Sequence, residues 1–266
     1  MSKMKLTRRT ALIGAAGAGL AVSACSSGPE RFEPRAEGHF RHGVASGDPD
    51  TNSIMLWTAL SDDAGGWRGV EVARDEAFED VVFRQGEEIT YVQPQALGTL
   101  KILATGLEPG ERYFYRFRLN ETYSPVGITR TLPEGAVGQF RIGVFSCSNF
   151  PAGHFNVYRE AAENGELDLV LHLGDYIYEY AMGEYATGDA EALNRVPDPL
   201  HEIVSHADYV ARHAQYKSDP DLQALHAAAP WIMSWDDHET ANNSWTGGAQ
   251  NHNDGEGRWE DRRDAA

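Results

Sequence analysis

Residues 140–175 read FRIGVFSCSNFPAGHFNVYREAAENGELDLVLHLGD. Residues 140–145 are a short apolar run of the kind that forms a buried strand, and 167–173 are a second one. Between them, about 155–164 carries helical spacing that Gly165 stops. Strand, helix and strand with tight joins predict a parallel βαβ unit with a right-handed crossover. The same rhythm continues after a loop rich in Gly, Ala and Asp that runs to Pro199. Helices are expected at about 201–217 and 219–227, with Ser218 or Asp219 as N-cap and Pro230 beyond the end, and a third strand at 231–235.

Each of these three strands runs into a side chain able to hold a metal ion. Cys147 follows the first, Asp175 the second, in Leu173-Gly174-Asp175-Tyr176-Ile177-Tyr178-Glu179, and Asp237 the third, in Trp235-Asp236-Asp237-His238-Glu239. A carboxylate at the end of a buried strand is fixed at the carboxyl edge of the sheet, where open α/β sheets bind ligands, and its charge needs a partner. Singly, each residue has a structural explanation: Cys147 as a small core residue, Asp175 as a turn residue, Tyr178 as a packed aromatic, Asp237 as a helix cap, His238 as a hydrogen-bonded core group. Jointly, they place thiolate, phenolate and carboxylate donors at one sheet edge. Those anionic donors suit trivalent iron, while a harder ion such as calcium prefers oxygen alone.

Upstream, residues 40–132 show short alternating or apolar runs at 53–58, 67–73, 81–84, 98–104 and 112–119, separated by turn residues. That spacing predicts a β-sandwich. Residues 106–115, GLEPGERYFY, resemble the corner before a late strand in fibronectin type III and related sandwiches, where a Tyr hydroxyl bonds back to the backbone.

At the start, Lys3, Lys5, Arg8 and Arg9 precede an uncharged apolar run from Ala11 to Ala24, the layout of an export signal and too short to span a bilayer in the ordinary way. Thr7-Arg8-Arg9-Thr10-Ala11-Leu12 resembles a twin-arginine signal, whose route exports folded proteins. Val22-Ser23-Ala24-Cys25 resembles a bacterial lipobox, which makes Cys25 a lipidation site and the membrane a point of attachment; a cut by ordinary signal peptidase near Ala24 is the alternative. The expected location is therefore periplasmic or otherwise extracytoplasmic. The division expected is 1–25 export signal, 26–37 linker, 38–133 sandwich, and 134–266 the α/β part.

The chain carries 23 basic and 40 acidic residues, and four of the basic ones with none of the acidic lie in the leader. Such a surface repels polyanions, so nucleic acid is not an expected partner. Serine hydrolysis is disfavoured because no Gly-x-Ser-x-Gly elbow occurs. The tail at 251–257 reads as polar and mobile, and 258–266 as the start of a helix without a cap, so the chain reads as the N-terminal part of a longer protein.

Taken in order, residues 40–49 (FRHGVASGDP), 54–58 (IMLWT), 106–115, Ser146-Cys147-Ser148-Asn149, 155–159 (FNVYR), 174–179 and 235–239 resemble the PhoD-type alkaline phosphatases, within the metallophosphoesterase group. The resemblance implies an all-β N-terminal sandwich, fibronectin III/Ig-like, followed by a truncated α/β metallophosphoesterase sandwich. It further implies an exported enzyme that hydrolyses phosphate esters with a metal-activated water at a centre of Fe3+ and a divalent ion, Ca2+ foremost. Cys147 and Tyr178 would bind iron, Asp175 would bridge the ions, Asp237 would hold the second, and His238 would act near the leaving oxygen. Asn149 and Asn242 read as solvated loop amides, with contact to the phosphate or to a metal ligand as the alternative, and His154, His172, His201, His206, His213 and His226 as structural or exposed. Because the family continues past Ala266 and draws further ligands from there, the resemblance implies a site incomplete in this chain, with weak metal affinity and little activity. A surface-anchored binding module on a degenerate scaffold is the alternative, with the twin-arginine machinery and a phosphate ester as partners of the first reading.

Overall fold

The computed structural model describes residues 39–60, 66–89 and 98–266; the export signal, Cys25 and the linker at 26–37 lie outside them. The fold is mostly β-sheet with few helices. Seven strands come first: β1 (Val44–Gly47), β2 (Ser53–Leu60), β3 (Gly66–Ala73), β4 (Val81–Ile89), β5 (Gly98–Thr105), β6 (Arg112–Leu119) and β7 (Thr122–Tyr123). Then follow β8 (Gly127–Arg130), β9 (Ile142–Phe145), α1 (Asn156–Asn164), β10 (Leu169–His172), α2 (His206–Lys217), α3 (Pro220–Ala228), β11 (Trp231–Met233) and α4 (Trp259–Ala265). No helix among the described residues is long and apolar enough to cross a membrane.

Period-two alternation builds the first core. In β6, Tyr113, Tyr115, Phe117 and Leu119 point inward while the arginines between them face out; in β5, Leu100, Ile102 and Ala104 do the same. These faces meet Ile54, Leu56, Val70 and Val72 from β2 and β3. The expected corner is present, with the Glu108 backbone N–H donating to the Tyr113 hydroxyl at 2.8 Å.

The strands form two sheets, one in the order β4-β3-β6-β7 with β8 paired to β6, the other in the order β5-β2-β1-β11-β10-β9. The second sheet joins the two halves of the chain. Strands β9, β10 and β11 are mutually parallel, as the βαβ reading requires, and β11 continues in parallel onto β1 through the pair Gly47 and Trp231. Strand β1 was not among the expected strands, nor were β7 and β8, each being four residues long or shorter. On one face, Val170, Trp231, Tyr158, Tyr209, Tyr216, Leu222 and Leu225 form a second core between the sheet and the helices. On the other, β9 and β11 leave Ile142, Val144 and Ile232 exposed.

Helix α2 starts at His206 rather than near His201, because Ser205 forms a capping box with Asp208. In α3, Asp219 is the N-cap, accepting from the Asp221 and Leu222 N–H groups, with Pro220 at the first helical position. The expected mobile tail is instead tied down: Asn251 Nδ2 donates to Glu179 at 2.7 Å, and Arg262 pairs with Glu256 at 2.9 Å and Glu202 at 2.7 Å.

The second core also stores a pH dependence. His172 has no exposed area, sits within hydrogen-bond reach of Ser148 Oγ and Tyr158, and burial lowers its pKa to about 4. An unfolded histidine titrates near 6.5, so between those values the unfolded chain binds the extra proton. Stability is therefore complete above pH 6.5 and falls as pH drops towards 4, by about 3 kcal/mol from this residue. His213, lowered by burial to about 4, acts in the same direction. Urea midpoints at pH 7.5 and 4.5 check this; equal values would contradict it.

Candidate metal centre

The three parallel strands end at one edge, and the loops beyond them are locked together by backbone geometry. Cys147 and Asp175 both have positive φ, 60° and 55°, conformations uncommon outside glycine and costing of order 1–3 kcal/mol. Gly174, at φ 109°, lies so close to Trp235 and Asp236 that a β-carbon would collide with their backbone. Glycine alone lets the second and third loops touch. The Cys147 N–H donates to the Gly174 carbonyl at 3.2 Å and the Ser148 N–H to that of Asp175 at 2.8 Å, joining the first loop to the second.

Two acids complete the frame. The Glu239 carboxylate, buried, accepts from the N–H groups of Asp175 at 3.0 Å, Asp236 at 2.7 Å, and Tyr176. Glu179, with no exposed area, accepts from Asn242 N–H and Asn251 Nδ2, each at 2.7 Å, and takes His238 Nδ1–H at 2.7 Å, leaving Nε2 as the free ring nitrogen. The buried Arg212 guanidinium donates to the carbonyls of Tyr178 and, at 2.9 Å, Pro199, pinning the long loop between β10 and α2.

Inside this frame one ligand atom each from Asp175, Asp237 and His238 lies within 4.8 Å of the others. The Tyr178 hydroxyl donates to Asp175 Oδ2 at 3.1 Å. The second Asp175 oxygen, Oδ1, is buried and has no hydrogen-bond partner among the described residues. A buried carboxylate oxygen without a donor, on a side chain grouped with a second acid and an imidazole and bonded through its other oxygen to a phenol, fits a cation. Burial, together with the negative neighbours Asp175 and Cys147, drives the Tyr178 pKa far above its usual value, so a phenolate forms there only against a positive charge. For His238, burial opposes the charged form, but the bond to Glu179 and the charges of Glu179, Asp175 and Asp237 outweigh it and raise the pKa.

Of the expected site residues, Asp175, Asp237 and His238 bring their ligand atoms together and Tyr178 is bonded to Asp175, while Cys147 lies outside that group and joins the second loop through its backbone N–H. Cys147 is exposed rather than packed in the core. Both side-chain polar atoms of Asn149 are buried without a partner among the described residues, so Asn149 is not a solvated amide, whereas Asn242 makes an exposed bond to Gln250 at 2.9 Å. The framing roles of Glu179 and Glu239 were not expected. Their only signal in the sequence is that each ends one of the two ligand runs.

A carboxylate pair with an imidazole, held where parallel strands end and preceded by antiparallel sheet, makes a candidate metal centre on a largely β scaffold. The chain belongs to the PhoD-like phosphatase family: the model of the PhoD-like phosphatase matches residues 142–266 and that of its N-terminal domain residues 24–133. It is similar to alkaline phosphatase D of Bacillus subtilis (strain 168), at 44% identity over 217 residues that cover 77% of this chain and 36% of the relative. A solved structure of PhoD matches with a TM-score of 0.75 at 37% identity, covering 88% of this chain and 45% of that one. The chain therefore spans well under half the length of both.

Proposed function

We propose that the protein is an exported, metal-dependent phosphatase or phosphodiesterase that hydrolyses phosphate esters at the centre built by Asp175, Asp237, His238, Tyr178 and Cys147. The observation that carries this reading is the donorless, buried Oδ1 of Asp175 beside Asp237 and His238. Cys147 and Tyr178 would hold Fe3+, Asp237 a divalent ion for which Ca2+ is our choice, and Asp175 both. Bound there, the ions supply positive charge that draws in the phosphate and offsets the charge developing on it. The chain's own residues set the geometry: Glu239 holds the Asp175 and Asp237 loops together, and Glu179 orients His238. A water attacks phosphorus opposite the ester oxygen and gives up one proton to solvent as its bond to phosphorus forms; the P–O bond to the ester oxygen breaks, and His238 gives that oxygen the Nε2 proton, which solvent then restores. The bond from the His238 Nδ1–H to the Glu179 carboxylate leaves Nε2 as the ring nitrogen for that role.

The finer fold reading belongs to this proposal. An Ig-like sandwich leads into an α/β metallophosphoesterase sandwich of which these residues form the N-terminal part. It is supported by the greater length of the relatives and by Ile142, Val144 and Ile232, since parallel sheets are ordinarily covered on both faces. Export by the twin-arginine route, lipid attachment at Cys25 and a periplasmic or extracytoplasmic location complete the reading.

The test uses the full-length protein. Elemental analysis is expected to find iron with a second metal, the protein to be coloured through tyrosinate bound to iron, and Tyr178→Phe to lose the colour and most of the iron. An unchanged spectrum and metal content in Tyr178→Phe would sink the iron assignment. Assays on phosphate monoesters and diesters decide the reaction; hydrolysis of neither would leave the binding-module reading in its place.

A further inference from the structure

From Tyr178 and His238 at the metal centre an aromatic stack runs on to Tyr180 and Tyr185, two rings that the hydrolytic reading leaves without a use. The Tyr178 ring stacks on His238 at 4.3 Å between centroids and on Tyr185 at 6.2 Å, with planes within 23° for the latter pair. Tyr180 packs against Tyr185 at 5.3 Å and against His238 at 5.4 Å. Tyr178 is buried, whereas Tyr185, the outermost ring, is 60% exposed.

Its exposure is imposed by a built turn. The Ala181 N–H donates to Glu184 Oε2 at 3.1 Å, the Gly183 N–H to Thr187 Oγ1 at 3.0 Å, and Thr187 Oγ1 in turn to the Glu184 carbonyl at 2.9 Å. Thr187, buried, anchors the loop, so the ring is presented rather than left loose. A large aromatic face held in water, one ring away from a metal ligand, is poorly explained by the core, which it does not help to fill.

We infer that Tyr185, backed by Tyr180, is a stacking platform that selects phosphate esters whose alcohol carries a planar ring. This deepens the phosphate-ester reading of the same site and rests on it. With phosphorus drawn to the metal centre, the group on the ester oxygen reaches outward along the cluster, and a flat π-system there stacks on tyrosine whereas an alkyl group gains little. Aryl esters and nucleoside monophosphates share that chemistry, and the experiment separates them.

In the full-length, metal-loaded protein, kcat/KM is measured for phenyl phosphate, adenosine 5′-monophosphate and methyl phosphate. The expected result is a preference for a ring-bearing ester over methyl phosphate that falls roughly 5- to 20-fold in Tyr185→Ala, chiefly through KM, and survives in Tyr185→Phe. Loss of preference for phenyl phosphate alone assigns the platform to aryl groups; loss for the nucleotide alone assigns it to bases. An unchanged preference in Tyr185→Ala overturns the inference and leaves the ring as a surface for a protein partner. Should no ester be hydrolysed, the phosphate-ester reading fails. The platform is then judged by titrating phenylphosphonate against methylphosphonate, where equal affinities, or equal effects of the substitution on both, overturn it too.

Discussion

Asp175→Asn is expected to do two opposite things. It empties the metal centre and, in the metal-free protein, raises stability. The side chain keeps its shape but loses its charge, and the charge is what a bound cation answers. Without a cation, the buried Oδ1 has no donor, and Asp237 stands within 4.8 Å. Removing that uncompensated charge relieves the metal-free fold. With metal present the sign reverses, because a cation no longer stabilises the folded state through this residue. The loss of several kcal/mol of transition-state charge stabilisation corresponds to a fall in hydrolysis on the order of 10³-fold. Thermal melts with and without added Fe3+ and Ca2+, alongside elemental analysis and assays of the full-length protein, check all three. An Asp175→Asn protein that melts lower than its parent without metal, or gains as much from metal as its parent does, refutes the assignment.

Glu239→Ala is expected to be the most destabilising single change at the centre. Its carboxylate accepts three backbone N–H groups from two loops, Asp175 and Tyr176 on one and Asp236 on the other. Truncation leaves these donors unpaired in a buried place, which costs roughly 3–5 kcal/mol on the usual scale for charged hydrogen bonds and orphaned donors. The loops then separate, and because both carry ligands, metal affinity falls roughly 10- to 100-fold, as for other groups that orient ligands. Glu239→Gln keeps a carbonyl acceptor but turns an amide donor towards a backbone N–H, so it should fall between the two. Urea unfolding gives the first quantity and metal titration the second. A loss of less than 1 kcal/mol in Glu239→Ala, with metal binding intact, contradicts this account.

Much of the centre was legible because it depends on local order along the chain. Apolar runs ending in Cys147, Asp175 and Asp237 give parallel strands whose ends share an edge, and at that edge the structure gathers Asp175 and Asp237 with His238. The corner at Tyr113 was readable for the same reason, since its partner lies five residues away. What was not legible depends on partners distant in sequence. Glu179 meets Asn251 across 72 residues, and no local pattern announces that a polar tail will be stitched to a buried acid. The buried amide of Asn149 and the exposed thiol of Cys147 reverse what loop position and residue type suggest, because the left-handed turn at Cys147 decides which side chain faces out. The start of α2 was misplaced by a few residues because a serine cap outranks the helical spacing ahead of it.

The pairing of Gly47 with Trp231 carries a consequence for biosynthesis. Strand β1 emerges from the ribosome early and pairs on one side with β2 as soon as that strand follows. Its other margin waits for β11, and at about 5–20 residues per second the delay is roughly 10–40 s. Through that interval the nascent chain offers an open row of amides and carbonyls to any neighbouring strand. Docking of the third strand is thus the event that seals the early half as well as the late one.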